Sequence, residues 1–235
     1  MQLATVLMVL AVALPVPAPA PEWLQHWPAD DGSVHILVDG RFAEGGRRAT
    51  LEIVRPSPEQ QVPTKARVLT DRCRNQVSTL QQAFPSQDAP LAVVDLDGDG
   101  RDEVFLLDRG NNIHYVMVLR VDGCHVDQVW KEGSPSDEGM LPFGGHGVMG
   151  ISCRRTSSGS VDVLQIAHWA QLKATDPEHP SAKPDYQVGW TRTTFVVRGD
   201  RLVKTGEDHG TSARDDDPSV PLIDSFECLG GIIYP

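Results

Sequence analysis

Basic residues are the scarce class in this chain. Its 235 residues carry 21 Lys and Arg against 32 Asp and Glu, for a formal net charge of −11, and the Lys and Arg form no run. That balance lacks the electrostatic footprint of a nucleic-acid binder or of a protein that docks on anionic membranes. The sequence also lacks an HExxH pair among its eight His, a GxSxG elbow, and any CxxC pair for zinc or redox work. Disorder is excluded for most of the chain, because 40% hydrophobic and 23% charged residues is an ordinary globular composition. At this length one core can bury roughly 70% of the unfolded surface. One domain or one array of small repeats is expected, with metal cations as its natural charged partners.

The apolar run Leu3 to Leu14 has the length of a signal-peptide core and is too short to span a bilayer of roughly 30 Å as a helix. Residues 1–20 therefore read as an export signal, and 21–31 as a linker. No membrane span is expected in the mature chain, which places it outside the cell. Four cysteines, Cys73, Cys124, Cys153 and Cys228, form an even set suited to disulfides in an oxidising compartment. Three connectivities are possible. The preferred one pairs Cys124 with Cys153, which flank one crossing between two strand units, and leaves Cys73 with Cys228.

The strongest local signal is Asp95-Leu96-Asp97-Gly98-Asp99-Gly100-Arg101-Asp102-Glu103. Counting Asp95 as position one, side-chain oxygens fall at one, three, five and nine, a Gly at six, and Arg101 at seven offers a backbone carbonyl. Alternating acids in a loop coiled by glycine point their carboxylates at one centre, the ligand set of a calcium ion. Position twelve is Leu106 where an EF-hand needs Glu, and the flanks Leu91-Ala92-Val93-Val94 and Val104-Phe105-Leu106-Leu107 read as strands. The metal ligands expected are Asp95, Asp97, Asp99, Arg101 and Glu103, in a strand-loop-strand frame.

These residues resemble the calcium loop of FG-GAP repeats in integrin-alpha-type propellers and of the related VCBS repeats, Asp-x-Asp-x-Asp-Gly-x-x-Asp between two strands. Asp95, Asp97 and Asp99 match its first three ligands, Arg101 the carbonyl position, and Glu103 stands where the last Asp would be. Phe143-Gly144-Gly145-His146-Gly147-Val148-Met149-Gly150 is similar to the Phe-Gly strand that opens such a repeat. The resemblance implies adhesion or ligand binding outside the cell, with an extracellular protein or glycan as partner.

Internal similarity extends the pattern. Gly159 to Leu164 aligns on Gly100 to Phe105, which puts Asp162 on Glu103 and Arg154, Thr156 and Ser158 where the three aspartates stood. That copy has lost its ligands. Phe195 to Asp200 matches Met117 to Asp122, with 174–185 as an insertion, and a worn copy spans Arg48 to Cys73. The expected class is all-β, an array of about three propeller-blade-like antiparallel repeats forming a partial propeller or open arc; a compact sandwich fits the periodicity equally well. The divisions are 32–90, a degenerate first repeat; 91–142, the calcium-loop repeat; 143–209, a repeat without metal ligands; and 210–235, a tail with a closing strand. In the N-terminal strand Ser33 to Asp39, Val34, Ile36 and Val38 share one register, and Phe226 to Ile233 would close an end sheet near Cys73. Cys73, Val77, Leu80 and Phe84 have helical spacing, which predicts a short helix over 71–84.

Other candidates carry less. Gly145-x-Gly147-x-x-Gly150 matches a dinucleotide fingerprint but has no strand-to-helix turn around it. The five Trp suit either a sugar or peptide groove or buried sheet positions. Asp215-Asp216-Asp217 reads as a solvated linker. The functional expectation is a secreted, calcium-stabilised binding or adhesion module with no catalytic motif. The alternative is a secreted hydrolase, which would gather His146, His168 or His209 with acids at one sheet end.

Overall fold

The computed structural model describes residues 22–57, 62–80, 89–109, 114–132, 140–143, 149–172, 186–212 and 226–228. Among them the chain is all-β, with one 3-10 turn at Glu44–Gly46 and no α-helix. The first sheet contains β1 (Leu24–Pro28), β2 (Val34–Ala43), β3 (Arg47–Arg55), β4 (Lys65–Leu69) and β5 (Ser78–Thr79), each antiparallel to the next. The second begins with the antiparallel run β6 (Ala89–Val94), β7 (Glu103–Arg109), β8 (His114–Asp122) and β9 (His125–Lys131). Beside β9, β10 (Leu141–Phe143) pairs with the start of β8. A further antiparallel run is β11 (Met149–Arg155), β12 (Val161–Leu172), β13 (Tyr186–Arg198) and β14 (Arg201–Ser212), and β15 (Phe226–Glu227) adds parallel to β11. A short parallel contact of β14 with β9, at Arg201↔Trp130 and Leu202↔Lys131, joins the two runs into one ten-stranded sheet. That sheet is nearly closed and barrel-like.

The apolar pattern of β7 and β8 explains the layering. Val104 and Leu106, with Met117, Leu119 and Val121, pack on Ile36, Val38, Phe42, Leu51 and Ile53 of the first sheet. The alternate residues Phe105, Leu107, Val116 and Val118 face the other way, onto Val161, Val163, Phe195 and Val197. A strand covered on both faces reads as a continuous apolar run, as Val104-Phe105-Leu106-Leu107 does. Each such side chain contributes about 1.5–3 kcal/mol by leaving water, so this middle layer couples two cores. In β2 the alternation of Ile36, Val38 and Phe42 inward with half-buried residues outward follows the register expected for Val34, Ile36 and Val38. On the outer face of the first sheet Glu52 is held by His35 Nδ1 at 2.8 Å and by Arg67 Nε. Burial resists ionisation of Glu52, yet the bonds from Arg67 and His35 keep its carboxyl below the ordinary value.

Several expectations are corrected. The disulfides are Cys73–Cys124 and Cys153–Cys228, with Cα–Cα separations of 5.0 and 4.6 Å. Cys73, in the turn after β4, meets the β8–β9 turn, whereas Cys153 on β11 lies beside Cys228 because β15 runs parallel to β11. Cys124 and Cys153 belong to different cores, which is why they do not pair. Cys228 accordingly closes the far end of the sheet, away from Cys73. No helix covers 71–80: residues 71–75 form a turn and β5 follows, and Val77 is 51% exposed, so Cys73, Val77 and Leu80 share no buried face. Residues 81–84 lie outside the described residues. The segment expected as a linker contains β1, which pairs with β2. The three antiparallel runs are not three separate sheets, because β9 and β14 fuse two of them. The turns also shift one internal match. Gly123 and Gly199, both at φ 62°, open the two equivalent turns, so Arg198 corresponds to Asp122 and not to Arg120. The expected signal at 1–20, the insertion at 174–185, Gly144 to Val148 and Ile232–Ile233 lie outside the described residues.

Non-reducing peptide mapping should recover the pairs Cys73–Cys124 and Cys153–Cys228. Their sequence separations of 51 and 75 residues put each at about 4 kcal/mol in the chain-entropy picture. The double variant Cys73→Ser/Cys124→Ser should lose stability of that order in urea unfolding. Recovery of a Cys124–Cys153 peptide would contradict the assignment.

Candidate metal centre

Val94 and Glu103 are register partners at the ends of β6 and β7, so residues 95–102 form the hairpin loop. Gly98 and Gly100, at φ 79° and 88°, supply left-handed backbone that coils it. The aspartates then hold the loop from inside. Asp95 Oδ1 accepts the Gly98 N–H at 2.8 Å and its Oδ2 the Gly100 N–H at 3.0 Å. Asp97 Oδ1 accepts from Asp99 N at 3.1 Å, and Asp99 Oδ1 from Arg101 N at 2.8 Å. Sequence spacing thereby becomes convergence: one carboxylate oxygen from each of Asp95, Asp97 and Asp99 lies within 4.8 Å of the others. Two oxygens on opposite sides of a calcium ion are separated by about 5 Å, so the cluster has the dimensions to hold a metal ion.

Glu103 sits beneath the loop with no exposed surface. Its Oε2 accepts the Leu96 N–H at 2.8 Å, while Oε1 accepts no hydrogen bond. The cationic atom beside Oε1 is Arg120 Nε, at 3.7 Å. Burial pushes the Glu103 carboxyl up to about 8; the Leu96 N–H pulls against that rise, and the nearby Asp97 charge adds to it. The converging group is Asp95, Asp97 and Asp99; Glu103, at the foot of the same hairpin, is not among the atoms within 4.8 Å, but a buried carboxyl oxygen without a hydrogen-bond donor is a position where a cation relieves a cost. On this observation the residues fit a divalent metal.

Arg41, Arg120 and Asp102, which the sequence pattern leaves unassigned, complete the site together with the side chain of Arg101. Arg120 on β8 donates through Nη2 to Asp97 Oδ2 at 2.6 Å and Asp99 Oδ2 at 3.0 Å. Its Nη1 donates to the Gly199 carbonyl of the β13–β14 turn at 2.7 Å. Arg101, expected for its carbonyl, folds its side chain onto Asp99, with Nη2 at 2.7 Å, and reaches the Val121 carbonyl. Burial opposes ionisation of Asp99, but the bonds from Arg101 hold its carboxyl below the usual value. Asp102 turns to the first sheet: Arg41 gives it Nη2 at 2.6 Å, Nε at 3.0 Å and its backbone N–H at 2.7 Å. The Arg41 guanidinium is held above its ordinary value chiefly by that pair. Gly46, at φ 71°, lies so close that a Cβ there would stand 2.6 Å from the Gly100 carbonyl oxygen. From the other side, Val161 N donates to Leu96 O at 2.8 Å. The acidic loop is therefore where the first sheet and both halves of the second meet. One signal was available for Arg120, a charged residue within the apolar run Val116 to Val121.

The remaining candidates are dispersed. His168 and His209 lie on β12 and β14 with β13 between them, and His146 lies outside the described residues. Gly150 is on a strand, not at a strand-to-helix turn; Gly145, Gly147 and Asp215 to Asp217 lie outside the described residues. Trp27 is 42% exposed and stacks on His35, and Trp23, Trp130 and Trp190 are half-buried, so these four do not form one buried set; the Trp169 side chain lies outside the described residues. In the second copy, Thr156, Ser158 and Ser160 hydroxyls bond one another, and Arg154 pairs with Asp162 at 2.8 Å. No family model, curated protein or solved structure matches this chain.

The raised Glu103 carboxyl fixes the sign of a pH effect. The folded state keeps a proton that the unfolded chain loses near 4.5, so this contribution is fully present below 4.5 and is lost as pH rises towards 8. At roughly 1.4 kcal/mol per unit the loss is a few kcal/mol. In metal-free buffer, urea unfolding should give falling stability between pH 5 and 8.5, and Glu103→Gln should flatten that slope. An identical slope in the variant would refute this.

Proposed function

We propose that this chain is a calcium-stabilised β-repeat module that works outside the cell by binding a protein or glycan partner. The observation that carries the reading is the convergence of Asp95, Asp97 and Asp99 on one centre, supported by a buried Glu103 Oε1 that accepts no hydrogen bond at the foot of the same hairpin. Every side chain in the set offers oxygen and none offers sulfur or imidazole, which favours a hard cation over zinc or copper. Calcium suits it better than magnesium, because carboxylates spread along a coiled loop supply many oxygens in an adaptable geometry. Asp95, Asp97, Asp99 and Glu103, with the Arg101 carbonyl, are the proposed ligands. Two disulfides fit an oxidising extracellular compartment, and among the described residues no helix is long and apolar enough to cross a membrane. On this reading the three antiparallel runs are worn propeller-blade-like units of FG-GAP type, and the ion clamps the hairpin of the middle one. The loops flanking that clamp would then meet the partner, since binding residues of β scaffolds commonly sit on loops.

Affinity is expected in the range of extracellular modules, on the order of 10⁻⁴ to 10⁻³ M. At a hundredfold excess over the dissociation constant, calcium should stabilise the fold by about 2.7 kcal/mol, or roughly 5–10 °C in Tm for a chain of this size. Asp97→Ala should remove that rise in scanning calorimetry against an EDTA control. An equal rise in the variant, or none in the parent protein, would reject the assignment.

A further inference from the structure

Arg120 bonds two of the three carboxylates proposed to hold the metal. Asp97 and Asp99 each accept a backbone N–H of the loop on Oδ1, and their Oδ2 atoms take guanidinium donors, Asp97 from Arg120 and Asp99 from both Arg120 and Arg101. Arg120 Nη2 sits 2.6 and 3.0 Å from those two atoms, and its Nε is 3.7 Å from the bare Glu103 Oε1. An ion liganded by the same oxygens at about 2.3–2.6 Å takes the space in which that nitrogen lies. The ion and the guanidinium thus compete for the carboxylates of Asp97 and Asp99. The second copy supports the exchange: where the aspartates are gone, Arg154, in the position of Asp95, pairs with Asp162, in the position of Glu103. There a guanidinium is the permanent counter-ion.

The geometry points to Arg120 as a built-in competitor that sets the affinity of this loop for calcium. The inference rests on the metal reading of the loop and adds the residue that regulates it. Without the ion, the Arg120 guanidinium neutralises the crowded carboxylates and keeps the hairpin folded. With it, the guanidinium must leave Asp97 and Asp99, and its second anchor, the Gly199 carbonyl, is disturbed with it. Gly199 and Asp200 form the β13–β14 turn, and Asp200 O accepts the Trp130 N–H at 2.9 Å beside the β9–β14 junction. Occupancy of the loop is thereby read out at the seam between the two halves of the large sheet.

The test is calorimetric calcium titration of the full exported chain, disulfides intact, for the parent protein, Arg120→Met, Asp97→Ala and Arg154→Met. Met keeps an apolar stem of similar reach and removes the charge and the donors. Arg120→Met should bind calcium at least about tenfold more tightly, since charge-assisted hydrogen bonds no longer oppose the ion. Arg154→Met, which removes the same charge from the neighbouring hairpin, should change affinity less than about threefold. Asp97-dependent binding in the parent protein with no gain in Arg120→Met would overturn the competitor role while leaving the metal reading intact, and an equal gain in both Arg variants would overturn it as a general charge effect. Absence of calcium binding in parent and Arg120→Met alike would overturn both. Should Arg120→Met fail to fold, the parent protein still decides: its assigned Arg120 Nε–H and Asp200 amide NMR signals should shift between EDTA and saturating calcium, and unmoved signals would overturn the inference.

Discussion

Carboxylate crowding at the β6–β7 hairpin is the constraint that the surrounding structure answers. Five acids, Asp95, Asp97, Asp99, Asp102 and Glu103, fall within nine consecutive positions, and the ligand atoms of three of them lie within 4.8 Å of one another. At an effective dielectric constant of about 20, like charges at that distance repel by roughly 3 kcal/mol per pair before salt screening. Three such pairs rival the whole stability of an ordinary domain, about 5–15 kcal/mol. A loop of this kind persists only with cations built around it, and the fold delivers them from three directions: Arg41 from the first sheet, Arg101 from the loop itself, and Arg120 from β8.

That requirement links electrostatics to layering. Arg41 reaches Asp102 because Phe42, its neighbour on β2, is buried in the core between the first sheet and the outer-facing residues of β7 and β8. Arg120 reaches both the loop and Gly199 because β8 lies in the middle layer, with the first sheet on one side and β12 and β13 on the other. The apolar alternation of β7 and β8 thus decides which arginines can meet the acids.

The legible parts were those encoded locally. The acid spacing marked the loop, continuous apolar flanks marked β6 and β7, and the alternation from Val34 to Val38 marked β2. The illegible parts depend on neighbours distant in sequence. The Cys153–Cys228 pairing followed from β15 running parallel to β11, a contact carried among the described residues by Phe226 and Glu227 and invisible to periodicity. Helical spacing at Cys73, Val77 and Leu80 misled because a disulfide cysteine and a buried Leu, with an exposed Val between them, fall at intervals of four and three without sharing a face. At the site, the acids and Arg101 announced themselves as a motif, but Arg41 and Arg120 are single residues on other strands, and a lone arginine carries no spacing to read. Arg120 alone left a trace, a half-buried charge inside an apolar strand.

The disulfides and the proposed ion act on opposite sides of the folding equilibrium. Cys73–Cys124 ties the first sheet to the β8–β9 turn, and it lines the same cavity as Arg101, Arg47 and Asp122 at the end where the acidic loop lies. Such a cross-link stabilises mainly by restricting the unfolded chain, so its effect is independent of solution conditions short of reduction. An ion held at 10⁻⁴ to 10⁻³ M stabilises only the folded chain, and only in proportion to the logarithm of its excess. The covalent link therefore keeps the first sheet on the large one whether or not calcium is present. What calcium would change, on the proposed reading, is narrower: whether the carboxylates of Asp97 and Asp99 close on an ion or on Arg120, and so which arrangement the loop presents at the meeting point of the sheets.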